Sequence, residues 1–450
     1  ELERARALAD ELVEESVIHA PLRAEALYRK ALVLRRSGDF VGASRLLDEA
    51  EDAAEQSRDD RLTAEIFGVQ TELATLDLAD VARARVYARL YGAKLRRVAG
   101  SDATWADYHD RLAELELLEG APDAALALHQ RASELRPADD LMGRSRNLKG
   151  TANDLAELGH HDEAIDRLRA AHRLIVDELG PAHPDLAVID TNLGLSLLAK
   201  GELPAAHEAL SAALDIEERY TGRDGLGASL TRLALAEVEL ARGDSERALA
   251  EAEHARVALE RILPATHGDV MTALQSLVNI HIERQAWGPA NEVVSALIRA
   301  HQERGEPIPV QLHINAGEFL FRLGRVAESA PHFDQALAMT SVDGSPDAEL
   351  HAYALNGRAK VSLARGEPAR ALELLERALP LVEASEHLDL RAEVFAGAAR
   401  ALALTGGPRT EARRLAELAL ALHPRPEQVP PDEAEQLRRI ASRRPSLPAR

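Results

Sequence analysis

The sequence contains no cysteine, so disulfides, thiolate metal sites and thiol redox chemistry are excluded, and the lack fits a reducing, cytoplasmic compartment. Aromatic residues make up only 3% of the chain and runs of Val, Ile and Thr are scarce, which leaves little material for strands. Long apolar runs are missing as well. Even TRLALAEVELA is interrupted by Arg232, Glu237 and Glu239, so no membrane-spanning segment is expected. Basic side chains are in deficit, 54 against 75 acidic, for a net charge of −21. With no basic face evident against that charge, a nucleic-acid partner is not expected. The opening stretch ELERARALADELVEE has neither an initiator methionine nor a secretory apolar core, and is expected to continue a longer polypeptide.

What the sequence does have is Ala, Leu, Glu and Arg in nearly every window, the composition of an all-helical protein. It is also repetitive. In LAELGHHDEAIDRLRAA, Leu155 to Ala171, a glycine is followed by alanines five and twelve positions later, and the arrangement returns as Gly201, Ala206, Ala213 and as Gly243, Ala248, Ala255. Equivalent positions are Gly38, Gly120, Gly159, Gly201, Gly243, Gln285, Gly324, Gly366 and Gly406, with steps of 39 to 42 residues after Gly120. The first step, of 82, holds two periods, and a degenerate unit around TELATLDLADVARARVYARLYG brings the count to about ten.

Each unit reads as two helices. The first ends at the glycine, which supplies a permissive backbone for a tight turn, and the second starts within about three residues. The alanine five past the glycine is expected to meet a small residue seven before it, as at Ala31, Ala113, Ala152, Gly194, Ala236, Gly317, Ala359 and Ala399. Small facing small lets helix axes approach, and leucine there would overpack by roughly 1–3 kcal/mol.

These small-residue positions, with the closing proline of SELRP at Pro137, resemble the tetratricopeptide repeat over about residues 21–424. The 42-residue step exceeds the usual ~34, and with the DELGPAHPDLA link it is similar to the kinesin-light-chain subtype. The resemblance implies a right-handed α-solenoid. Residues 1–20 then form a leading helix, 21–424 the array, and 425–450 a Pro- and Arg-containing tail whose DEAEQLRRIASRR stretch caps the last apolar face. Trp287 and Gln285 depart from the repeat at the seventh turn. More narrowly, the order of units, from DDRLTAEI to GGPRTEARRLAELALAL, resembles the region following the kinase domain of large bacterial Hanks-type serine/threonine kinases.

Chemistry on the chain itself is not expected. A kinase needs a glycine-rich loop, a strand lysine, a catalytic loop and a metal-binding DFG in order, and none is present. GLGASL at Gly225 opens a repeat helix with no strand before it. His160 and His161, with His172 and His183, form no HExxH and read as solvated turn residues; no metal or other cofactor is expected. GDSERA at Gly243 places its serine at a repeat turn, not at a nucleophile elbow. RRPSL, around Ser446, has the composition a basophilic kinase recognises, or that of a frayed terminus.

Function is therefore sought in binding. In the tetratricopeptide family, first-helix positions two, five, six, nine and thirteen look inward, and they translate to Arg146, Lys149, Asn153, Asn192, Gln275, Asn279, Asn315, Arg322, Tyr353, Asn356 and Lys360. An asparagine both donates to a carbonyl and accepts from an amide, so this row suits a peptide backbone, or else bonds between neighbouring repeats. Glu237 and Glu318 at comparable positions leave the charge preference open. The sequence thus reads as a non-catalytic module for a protein or peptide partner, the regulatory part of a bacterial signalling protein. The rivals are a scaffold assembling through its convex face or ends, and the sensor region of a transcription activator.

Overall fold

The computed structural model describes residues 2–16, 19–340, 348–383, 385–422 and 431–442, and among them no strand occurs. Helix α1 (Leu2–Glu15) leads into ten helical hairpins. Their pairs are α2 (Ala20–Arg36) and α3 (Phe40–Gln56), α4 (Asp60–Glu72) and α5 (Val81–Arg97), α6 (Asp102–Leu118) and α7 (Pro122–Leu135), α8 (Leu141–Glu157) and α9 (His161–Leu179), and α10 (Asp185–Ala199) and α11 (Leu203–Tyr220). They continue with α12 (Leu226–Ala241) and α13 (Ser245–Ile262), α14 (Gly268–Glu283) and α15 (Trp287–Arg304), α16 (Val310–Arg322) and α17 (Val326–Thr340), α18 (Ala348–Ala364) and α19 (Pro368–Val382), and α20 (Leu388–Thr405) and α21 (Arg409–Leu422). The short α22 (Pro431–Ser442) follows. The protein is an all-α solenoid of repeated hairpins, and it divides into two compact units, Glu1–Ser276 and Leu277–Arg450.

Local chemistry accounts for each hairpin. The turn glycines Gly38, Gly120, Gly159, Gly201, Gly243, Gly324, Gly366 and Gly406 all have φ between 74° and 85°. The next amide then reaches back five residues, as Asp39 N–H to Leu34 O at 3.0 Å and Glu202 N–H to Leu197 O at 2.9 Å, which occupies carbonyls the helix end leaves open. Gln285 adopts the same conformation with φ 53°, and Ala286 N–H reaches His281 O at 2.9 Å, so the seventh turn is built like the others without glycine. Aspartates at the helix starts Asp39, Asp59, Asp80, Asp140 and Asp244 each accept an amide of the first turn.

The second hairpin is the exception. Helix α4 runs on through a π-helical turn, Leu73–Asp77, before Ala79 supplies the left-handed residue at φ 50°. The returning bond from Asp80 N–H lands on Ala74 O, six residues back rather than five, at 2.8 Å. One residue has been inserted, which is how π turns arise.

The small residues lie where the pattern demands. Ala31, Ala43, Ala50, Ala152, Ala164 and Ala171, and their counterparts through Ala359, Ala371 and Ala378, are all buried. At Gly194 and Gly317 the expected small-to-small pairing is corrected. A Cβ at Gly194 would lie 2.4 Å from Leu210, and one at Gly317 2.9 Å from Phe333; each large residue stands nine positions past its turn glycine and fills the space the missing side chain leaves. In the last hairpin the buried alanines are Ala412 and Ala419, one position later than in the other repeats, because Gly407 lengthens the turn.

In the second unit, α22 packs on both α20 and α21, burying Ala434 and Leu437. That is the place a further first helix would take. The Pro-rich run before it and Ser446 lie outside the described residues.

Candidate functional site

The first helices of successive hairpins stand side by side, so inward positions one repeat apart come within bonding reach. In the first unit this produces a ladder of opposite charges. Arg35 on α2 donates to Glu72 at 2.8 Å and to Asp77 at 2.5 Å; Arg111 on α6 donates to the other Glu72 oxygen at 3.2 Å and to Gly68 O at 2.7 Å. Burial alone would raise the Glu72 carboxyl, but the Arg111 and Arg35 guanidiniums outweigh it and hold it at about 2. Glu114, one turn along α6, is pushed up by burial and by the Glu72 charge.

The inward residues read from the sequence join this ladder. Arg146 pairs with Asp107 at 3.1 Å, and the half-buried Lys149 lies near enough to Glu114 to draw its carboxyl down against those two effects. Asn192 donates its side-chain amide to Asn153 at 2.8 Å, from one repeat to the next. Gln275 is exposed on α14 in the first unit, and Asn279, also exposed, is on the same helix in the second.

In the second unit the structure gathers Arg322, Asn356 and Lys360 at one place. Lys360 Nζ lies 3.1 Å from Glu318 and 2.7 Å from Glu393, Asn356 donates to Glu393 at 2.8 Å, and Arg322 donates to Glu318 at 2.7 Å. The Arg322 guanidinium also sits 5.5 Å from the Trp287 ring centre, and that ring stacks on Phe319. Burial opposes the Glu318 charge, yet Lys360 and Arg322 bring its carboxyl to about 2; burial likewise opposes the Lys360 charge, and Glu318 and Glu393 reverse the effect. Tyr353 is half-buried, its phenol pushed up to about 12 by burial and by Glu349 and Glu393. Asn315 stands apart from this cluster and accepts from Gln311 on its own helix at 2.8 Å.

Around this cluster lies a groove of about 890 Å³. It is lined by small residues of α20, among them Ala392, Ala396 and Gly397, together with Trp287, Phe321 and Leu363 and with Arg438 of α22.

Sequence reading missed Glu72, Arg111, Glu114 and Glu393, which complete both charge networks. A signal was present. Arg35, Glu72 and Arg111 alternate in sign at steps of 37 and 39 residues, and Glu318 precedes Lys360 by 42, so charge recurred at close to the period of the glycines.

The histidines occupy other places. His172 bonds Asp190 at 2.7 Å, His160 lies 3.4 Å from Glu163, and His183 accepts from the Asp185 amide. Among the described residues no three His, Cys, Asp or Glu side chains converge as a metal site, and no helix is long and apolar enough to cross a membrane.

Hairpins closed by a left-handed residue, stacked on small residues and lined by a polar first-helix face define a helical-repeat protein of the interaction class. Models of the tetratricopeptide repeat family match residues 1–58 and 310–384, so the hairpins of these two stretches are repeats of that kind. The clustered mitochondria protein homolog of Aedes aegypti is 27% identical over 187 residues, 39% of this chain, and the chain spans 12% of that relative's length. Among solved structures, the apo form of RapI superposes with a TM-score of 0.58 at 8% identity, covering 81% of this chain and 99% of that one. The Cut9–Hcn1 hetero-tetramer gives 0.50 at 17% identity, covering 93% and 76%. At these identities the likeness is one of fold.

Proposed function

We propose that the chain is a non-catalytic docking module that receives a peptide or protein segment along its first-helix face, with the principal seat in the second unit. The observation that supports this reading is the groove of about 890 Å³ beside Trp287, Arg322, Asn356 and Lys360. It combines aromatic and small apolar surface with fixed polar groups, the composition of a recognition site. Arg146, Lys149, Asn153 and Asn192 extend the polar row in the first unit, and Gln275, Asn279, Asn315 and Tyr353 complete the proposed contact set. A net charge of −21 favours a protein over a nucleic-acid partner.

The test is quantitative recovery of co-purifying proteins by the parent chain, by an Asn153, Asn279 and Asn315 triple alanine variant, and by Trp287→Ala. Partners lost from the variants while helical content is kept support the groove. Recovery unchanged in both variants removes these residues from the binding surface.

The finer reading, a regulatory or docking part of a bacterial signalling protein such as a serine/threonine kinase, is supported by the order of units along the sequence. Reading the coding sequence upstream of Glu1 tests it: a kinase core supports the reading, and a DNA-binding or nucleotide-binding ATPase domain refutes it.

A further inference from the structure

The second hairpin breaks the repeat rule where the first unit meets itself. Its π turn ends at Asp77, and the Asp77 carbonyl accepts from His267 Nε2 at 3.3 Å, across 190 residues of sequence. His267 belongs to the loop entering α14. Its Nδ1 accepts the Asp269 amide at 3.2 Å, which leaves the proton on Nε2 to point at Asp77. The same ring stacks on Phe40, at the start of α3, with centres 5.7 Å apart and planes at 24°.

Asp77 is itself fixed. Its carboxylate is bound by Arg35, which also holds Glu72, so the extra residue of the π turn delivers a rigid carbonyl to the loop. The tip of the first hairpin therefore reaches the loops that follow α11 and α13, and the hairpins of this unit close a turn. Between these edges lies an open cleft of about 830 Å³, lined by Phe40, Val41, Leu78, Leu226, Ile262 and His267. Val41 is 78% exposed there and Ile262 39%. One stack, one long hydrogen bond and the attraction of Arg36 for Glu217 thus bridge a largely unfilled gap, the kind of contact that opens far below the cost of global unfolding.

We infer that His267, Phe40 and the π turn at Leu73–Asp77 form an intramolecular latch that closes the first unit upon itself and can open without unfolding the repeats. Arg35, Glu72 and Arg111, which retain 20%, 21% and 12% of side-chain exposure, lie on the first-helix face of the latched turn. Given the docking reading above, on which this consequence rests, opening the latch widens access to that face.

Because the chain has no native cysteine, two introduced thiols are the only ones available for spin labels. Val41→Cys and Arg223→Cys place a pair on opposite edges of the cleft at exposed positions. Pulsed electron–electron distance measurement on the full chain should give one short, narrow distribution, and adding His267→Ala should shift it to longer and broader distances with helical circular dichroism unchanged. A distribution already long and broad without His267→Ala, or one unmoved by it, overturns the latch. Should His267→Ala lose helicity, Phe40→Leu keeps an apolar side chain at that place and removes the stack; lengthening supports the latch and an unmoved distribution overturns it. The distances are measured without any partner, so failure of the docking reading leaves them as they are.

Discussion

His129 Nδ1 lies 2.5 Å from Asp154 Oδ2, and both side chains are buried between α7 and α8. Gly150 makes the arrangement possible, since a Cβ there would stand 2.3 Å from His129 Nε2. Burial lowers the His129 affinity for its proton, but the Asp154 bond and the Asp154, Asp110 and Glu114 charges reverse that, and the ring ends above the usual imidazole value.

A raised folded-state value means that the native protein holds this proton more tightly than the unfolded chain. The stabilisation is complete below about pH 6.5 and is lost as pH rises through the raised value. Urea midpoints measured from pH 6.5 upward should therefore fall, and Asp154→Asn should flatten that slope. Gly150→Ala, which overpacks the ring, should cost about 1–3 kcal/mol at any pH in the same experiment.

The histidine pair of the second unit has the opposite sign. His313 and His332 face each other with Nδ1 atoms 3.3 Å apart, close enough for one ring to donate to the other and too close for two charged rings. Burial lowers both, and His332 lowers His313 further. The folded state binds fewer protons than the unfolded one, so stability is lost as pH falls below about 6.5 and the loss is complete once the lowered values are passed. Protection factors of α16 and α17, hydrogen exchange corrected for its intrinsic pH dependence, should fall between pH 6.5 and 5, and His332→Gln should remove most of that fall.

Four described turns carry a residue other than glycine in the left-handed region, Arg58, Ala79, Ala99 and Gln285, and the second and the last of these close hairpins. Ala79→Gly and Gln285→Gly place glycine at φ 50° and 53°, where a side chain costs roughly 1 kcal/mol. Each should raise thermal stability by about that amount, read as an upward shift in Tm. No gain at Gln285 would mean that its side chain makes a compensating contact.

Lys360 neutralises two carboxylates at once. Lys360→Met keeps the stem but leaves Glu318 and Glu393 3.6 Å or less from a single remaining cation, Arg322. With the site partly open to water, the cost should be about 1–3 kcal/mol of stability. Glu393→Gln in the same background should restore part of it, a coupling that a double-mutant cycle measures directly.

The hairpins were legible in the sequence because glycine and alanine report backbone conformation and close approach directly. Gly38, Ala43 and Ala50 each say something local. The degenerate second unit was found by arithmetic, but its π turn was not, since nothing in TELATLDLAD distinguishes an inserted residue from a loop. The inward row was legible through its repeat positions. Its bonding was not: Asn153 meets Asn192, and Asn356 meets Glu393, through side-chain torsions that the period does not encode. The contact of His267 with Asp77 depends on rotation summed over several hairpins, and no single window of sequence contains it.

Helix α22 has a consequence for engineering. Because it sits where another repeat would begin and turns Ala434 and Leu437 against α20 and α21, lengthening the protein at this end requires new modules to be spliced ahead of Pro431. Helix α22 would then travel outward with them as a reusable lid.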